Sequence, residues 1–337
     1  MDLFGSLGFS GTTLVKMINK DPRVLETDAS IFVKYFKDHA FSEKQIANLT
    51  LKRPTLYLYN AQNIFKPKFE YFYSLGFSNL EVAKILSEEP YILERSLEFQ
   101  IIPCIKELKR ILGTNENVLK VIRACYRILE CNVEELLEPN ISMMLSRGVP
   151  QALVMKMFLM EPKSLLLKAD RLSEILNETV KLGFDPNKFI FVLAIRCLAL
   201  LSRTLWERKV EAYGSFGLST DEIYSAFRLQ PMFMIVSEKK IRKSMCFFIN
   251  KLKLNPSMIS KNPNLLLLSL ESRIIPRCSV LQILMSKGLI KGDISLTYAL
   301  RMTEKLYVEK FVSRFQDEVP DVVRAHQGML EFQGFLH

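Results

Sequence analysis

A chain of 337 residues is long for one compact core, so two globular domains or a one-dimensional array of repeats are the starting alternatives. Hydrophobic residues make up 49% of it and mean hydropathy is +0.11, yet the apolar runs are short and broken by charge, as when helices are buried on two sides by neighbours. The longest run, Phe189 to Leu201, is interrupted by Arg196 and too short to span a bilayer, so no membrane segment is expected; the net charge of +10 admits an acidic partner.

Self-similarity organises the chain from its first residues. It opens on half a unit, Leu7-Gly8-Phe9-Ser10 leading into Val15 and Ile18. A string of proline, any residue and two apolar residues then recurs at Pro22, Pro54, Pro90, Pro162, Pro231 and Pro263. The two long gaps divide at Tyr126-Arg127-Ile128-Leu129 and near Cys197-Leu198-Ala199-Leu200, which gives eight repeat starts 32 to 36 residues apart.

Six residues after the starts lie Asp28, Asn60, Ser96, Asn132, Lys168, Arg203, Ser237 and Ser269. Six of these are side chains that accept from orphan amides at a helix N-terminus, so a helix is predicted to begin at each. Thirteen residues after four of the starts stands a second proline, Pro67, Pro103, Pro139 or Pro276, preceded by poor capping residues; the helix is expected to run through it with a kink. A glycine then ends the helix, as in Leu75-Gly76-Phe77-Ser78, Leu182-Gly183-Phe184-Asp185, Phe216-Gly217-Leu218-Ser219 and Lys287-Gly288-Leu289. Gly76 and Gly183 are predicted to hold positive φ. The second helix of the unit follows at once, and Ser42 with Gln45, Ser78 with Glu81 and Ser219 with Glu222 have the spacing of capping boxes.

The fold class predicted is all-α, an α-solenoid superhelix of about eight two-helix repeats of 32–36 residues with partial repeats at both ends. The divisions are residues 1–21, 22–297 and 298–337, with Thr303 capping a terminal helix from Glu304 to Phe315 ahead of Pro320. No domain boundary is expected inside the array.

Six cysteines (Cys104, Cys125, Cys131, Cys197, Cys246, Cys278) form no close pair, and His39, His326 and His337 lie far from them, so no metal site is expected and the thiols read as reduced and buried. Walker A, H-E-x-x-H, G-x-S-x-G and dinucleotide-binding glycine patterns are missing from the sequence. Glu134, Glu135 and Glu138 are spaced as a solvated helix face. The chain reads as a non-enzyme without cofactor.

Charge is concentrated. From Pro231 to Gly292 there are eleven basic residues against Glu238 and Glu271, which accounts for +9 of the total +10. Lys239 and Lys243, four apart, follow the cap Ser237; Arg273 and Arg277, four apart, follow the cap Ser269.

Proline-x-apolar-Leu, Leu-Gly-Phe-Ser and a period of some 34 residues together resemble the mTERF repeat. The strongest match runs from Ser269 to Cys278 (Ser-Leu-Glu-Ser-Arg-Ile-Ile-Pro-Arg-Cys), continues through Ser286 to Lys291 and ends in Thr303 to Val312, which is similar to the last repeats of plant members of that family. Tyr126 and Cys197 depart from the pattern by lacking proline, and Lys251-Leu252-Lys253-Leu254 replaces the glycine stop.

The resemblance implies a superhelix with a basic groove that binds double-stranded DNA or RNA, in a protein of organellar transcription, including its termination, or of RNA processing. It implies a mitochondrion, with a chloroplast as the alternative. An import presequence is not expected in this chain, because the repeat pattern begins by Leu7. The phosphate contacts expected are Lys239, Lys240, Arg242, Lys243, Arg273, Arg277 and Lys287. A monomer is expected, with organellar transcription or RNA-processing proteins as partners. The competing class is a protein-binding scaffold, which an acidic protein partner would satisfy equally.

Overall fold

The computed structural model describes residues 11–23, 28–290 and 294–335. The opening Leu7-Gly8-Phe9-Ser10 lies outside the described residues, as do Val24, Leu25 and Lys291. All regular structure among the described residues is helical, with no strand, and the fold is an all-α helical repeat of the solenoid type. The chain divides into two compact units, Met1–Glu174 and Ile175–His337, with the division falling inside the helix Ala169–Lys181.

Within each unit like helix stacks on like, because every helix buries one face against its partner in the repeat and others against neighbouring repeats. In the first unit Glu43–Lys52 packs on Asn79–Glu88, Asn115–Ala124 on Gln151–Met160, and Ile102–Leu112 on Val133–Ser146. Its core begins with an aromatic cluster in which Phe36, fully buried, has ring centroids 5.6 Å from Phe65 and 6.0 Å from Phe69. In the second unit Arg203–Gly214 packs on Glu238–Cys246, Phe189–Leu200 on Thr220–Leu229, and Ile275–Ser286 on the terminal helix Asp321–His326. Between repeats runs a single tight turn, seen at Pro54–Leu58, Pro90–Leu93, Pro162–Leu165, Pro231–Ile235 and Pro263–Leu267. Proline supplies the first residue, where its missing amide costs nothing.

The local signals behave as the residues demand. Asp28, Asn60, Ser96, Asn132, Ser237 and Ser269 each accept a backbone amide at the start of a helix. Both halves of the capping box form at Ser42, Ser78 and Ser219. Thr303 caps Glu304–Tyr307, and a wide turn carries that helix on to Ser313.

The second prolines sit inside continuous helix, and how they are tolerated is visible. At Pro103 and Pro276 a turn of i→i+5 hydrogen bonding precedes the proline: Ile101 N bonds to Ser96 O and Ile274 N to Ser269 O, each at 3.0 Å. Such a turn inserts one extra residue where the proline would otherwise strip an amide from the ladder. Pro67 follows the same kind of turn, whereas Pro139 lies within the helix Val133–Ser146.

One sequence expectation is corrected. Cys197-Leu198-Ala199-Leu200 forms no connector turn, since with no proline to stop it the apolar helix Phe189–Leu200 runs straight through these residues. The chain then bends by 108° into Arg203–Gly214. That helix begins at Arg203, which is not a capping residue, and Ser202 one residue earlier caps it, its hydroxyl accepting from Leu205 N. Among the described residues no single helix is long and apolar enough to cross a membrane.

The end of the first helix in each repeat is marked by positive φ, at Ala40, Gly76, Gly113, Gly148, Gly183, Gly217, Lys253 and Gly288. Lys253, at φ 54°, stands where glycine is missing from the sequence pattern and adopts the glycine conformation nonetheless. That conformation costs a side-chain-bearing residue about 1–2 kcal/mol. Lys253→Gly is therefore expected to raise stability by about 1 kcal/mol. Gly76→Val should cost about 2 kcal/mol, because φ is 100° and the added Cβ meets only Leu119 Cδ1 at 3.7 Å, so the loss is conformational. Urea denaturation of both variants checks the pair, and equal midpoints would remove the strain argument.

Candidate nucleic-acid interface

Which basic side chains are available to a ligand depends first on which are consumed in holding repeats together. A turn leaves carbonyl oxygens without partners at its C-terminal end, and burial makes them costly unless a donor arrives. The donor comes from the previous repeat, and in four of them it is the residue directly after the second proline. Lys68 Nζ donates to Leu93 O at 2.5 Å, Cys104 Sγ to Ile128 O at 3.4 Å, Asn140 Nδ2 to Leu165 O and Leu167 O at 2.8 Å each. Arg277 Nη1 reaches Ala299 O, Leu300 O and Met302 O at 3.3, 3.0 and 2.7 Å. Lys209 donates to Val236 O in the same manner. Burial pushes Lys68 down to about 8 and Lys209 below the ordinary lysine range, as a charge held against one carbonyl in an apolar joint requires.

Arg277 is the most elaborate of these joints. Its side chain is 1% exposed, its guanidinium lies 4.3 Å from the Tyr307 ring centroid, and its Nη2 donates to Glu304 Oε2 at 2.6 Å. Tyr307 in turn donates its hydroxyl to Arg277 O at 2.8 Å, and Glu304 Oε1 lies 2.7 Å from His326 Nε2. Burial alone would raise Glu304, but Arg277 and then His326 hold its carboxyl below the usual range. Arg273, half-buried, donates to Met302 O at 2.5 Å. Burial, and then the charge of Arg277, lower its pKa.

The seven expected contacts thus separate into groups. Arg277 is a buried joint and is withdrawn from the phosphate-contacting set; Arg273 is tied to the same joint. Lys239, Lys240 and Lys243 line one cleft of about 430 Å³ with Ser237, Ser269 and Glu271, between the first helices of consecutive repeats. Lys240, half-buried, donates to Leu267 O at 3.0 Å, and Lys243 forms an ion pair with Glu271. Lys239 and Arg242 project into solvent from the same helix, Glu238–Cys246. Lys287 is exposed but stands at the far end of Ile275–Ser286. Seventeen residues of helix separate it from Leu270, about 25 Å, so it does not share the cleft.

Sequence reasoning missed Glu271 as a member of this cleft and Arg277 as a joint. A signal for the second was present: each of the four second prolines is followed by a hydrogen-bond donor, Lys68, Cys104, Asn140 or Arg277. Among the described residues no group of three or more His, Cys, Asp or Glu is placed to hold a metal ion.

With the geometry in hand, comparison with known proteins is informative. A family model described as mTERF matches residues 33–197 and 98–308. A curated protein of Arabidopsis thaliana, "Transcription termination factor MTERF15, mitochondrial", is 24% identical over 246 residues, which cover 72% of this chain and 54% of that protein. "Transcription termination factor MTERF8, chloroplastic", from the same plant, is 22% identical over 225 residues, covering 66% and 45%. The chain spans about half the length of the curated relatives it matches.

Proposed function

We propose, from the premise that this chain belongs to the mTERF family, that it binds double-stranded nucleic acid through the lysine-lined cleft and regulates organellar gene expression, by transcription termination or related control. The relatives are named as transcription termination factors, one mitochondrial and one chloroplastic, which supports an organellar site of action. A mitochondrion is the first choice and a chloroplast the second.

The observation that carries the binding surface is the placement of Lys239 and Lys240 in the first turn of their helix, after the cap Ser237. The amino end of a helix carries partial positive charge, so cations there are unfavourable by some tenths of a kcal/mol each. Glu238 in the same turn obeys that rule, as do Glu98 and the pair Glu134 and Glu135 in other first helices, but Glu238 is taken up by Arg208 of the preceding repeat. Lys240 is held by its bond to Leu267 O, whereas Lys239 is exposed at an end where amides and a lysine can act together on a phosphate. Lys239, Arg242 and Lys243 stand exposed along one helix, where each contact neutralises phosphate without reading sequence.

The test is a titration of the protein against mixed-sequence duplex DNA, duplex RNA and single-stranded DNA at several salt concentrations. Duplex binding should give log K falling linearly with log salt, by about 0.9 per phosphate neutralised on DNA. Binding to none of the three, or binding without salt dependence, would remove nucleic acid as the ligand and leave the protein scaffold.

A further inference from the structure

Resting on that reading, the cleft contains a feature that opposes it. Between Pro231 and Gly292 the only carboxylates are Glu238 and Glu271, and both are taken up in ion pairs that cross from one repeat to the next: Arg208 with Glu238 and Lys243 with Glu271. Glu271 sits in the first turn of its own helix, beside Ser269, where the helix terminus favours its charge. It faces the lysines directly. The hydrogen bond from Lys243 first, then a bond from its own backbone amide and, last, the charge of Lys240 hold its carboxyl below the ordinary range. The carboxylate therefore holds Lys243 as a phosphate oxygen would.

We infer that Glu271 is a built-in competitor of phosphate, pairing with Lys243 in the free protein and yielding it to the nucleic-acid backbone on binding. The exchange is accessible because both side chains are well exposed, at 59% and 60%, and exposed pairs contribute little stability. It has an electrostatic consequence. Displaced from Lys243, Glu271 keeps its charge next to the backbone and retains a cation that the complex would otherwise release. The free-energy cost falls on every nucleic acid that enters the cleft, so Glu271 sets the salt concentration at which weak encounters are rejected.

The experiment compares the full chain with Glu271→Gln, and with Glu138→Gln as a control that breaks another inter-repeat pair, Arg110 with Glu138, away from the cleft. Each is titrated with the same mixed-sequence DNA duplex at several salt concentrations after thermal melting has shown equal stability. Glu271→Gln should bind about 3 to 10 times more tightly at 0.1 M salt and steepen the slope of log K by up to about 0.9, while Glu138→Gln changes neither. A wild type that binds with a clear salt slope, beside a Glu271→Gln variant of unchanged or weaker affinity and unchanged slope, overturns the competitor and leaves the binding surface standing. A wild type without salt-dependent binding overturns the surface itself. Melting exposes any loss of structure separately, and the salt slope is a readout that a purely structural role for Glu271 does not move.

Discussion

Arg277→Gln is expected to lower the melting temperature by about 10 °C while leaving the salt dependence of duplex binding unchanged. The guanidinium serves three carbonyls and the Glu304 carboxylate from a position with 1% exposure, so no water replaces it when it is shortened. Leaving a buried acceptor without its donor costs about 1–3 kcal/mol, and three carbonyls lose theirs, while Glu304, 58% exposed, regains water; about 3–5 kcal/mol follows. For a unit of this size each kcal/mol shifts melting by about 2–4 °C, which gives the figure above. Arg277→Lys should recover part of the loss only, since an ammonium is a point charge and lacks the fork that reaches Met302 O and Glu304 Oε2 together. Melting followed by far-ultraviolet circular dichroism, with hydrogen exchange over Asp321–His326, tests this: the terminal helix is tied to the joint through Glu304 and His326 and should exchange faster. A drop below about 2 °C would show that the joint is not needed, and a shallower salt slope would return Arg277 to the binding surface.

The contrast between Arg277 and the caps shows what kind of information a sequence carries. Ser78 and Glu81 act on backbone atoms three residues away, so their spacing alone determines the outcome, and the capping box forms as the residues dictate. The glycine-type stop is equally local where glycine stands, while Lys253 takes the same positive φ without it. The fate of Arg277 depends on carbonyls 22 to 25 residues further on. Arginine four residues after arginine on a helix has the same pattern whether it faces solvent or a joint. The Cys197 connector failed for a related reason: its place was inferred from the period, but without proline no local residue stops the helix Phe189–Leu200. The cleft was legible in part, through the charge excess and the i, i+4 spacing of Lys239 and Lys243. Glu271 was counted in the charge sum yet not placed, because its pairing with Lys243 spans 28 residues.

Replacing Lys239, Arg242 and Lys243 together by Gln is expected to lower the salt slope of duplex DNA binding by up to about 2.7, at about 0.9 for each phosphate no longer neutralised. At 0.1 M salt that slope corresponds to a loss of affinity on the order of 500-fold if all three contact phosphate. Arg273 and Arg277 are left in place, since both are bonded to Met302 O and their loss would be read as unfolding rather than as lost contact. Folding should be almost unaffected by the triple change: all three side chains are exposed, and exposed charges contribute about 1 kcal/mol or less apiece. Lys243 does give up its pair with Glu271, but that pair is itself exposed. The matched control replaces Lys34, Lys44 and Lys84, exposed lysines of the other unit, by Gln and removes the same net charge. The general attraction between a basic protein and DNA falls equally in both variants, so only a direct contact distinguishes them. Titrations of the two against one duplex over the same salt series should therefore diverge. Equal losses of affinity and slope would show that the charge excess of the C-terminal repeats is a solvated face and that phosphate is held elsewhere.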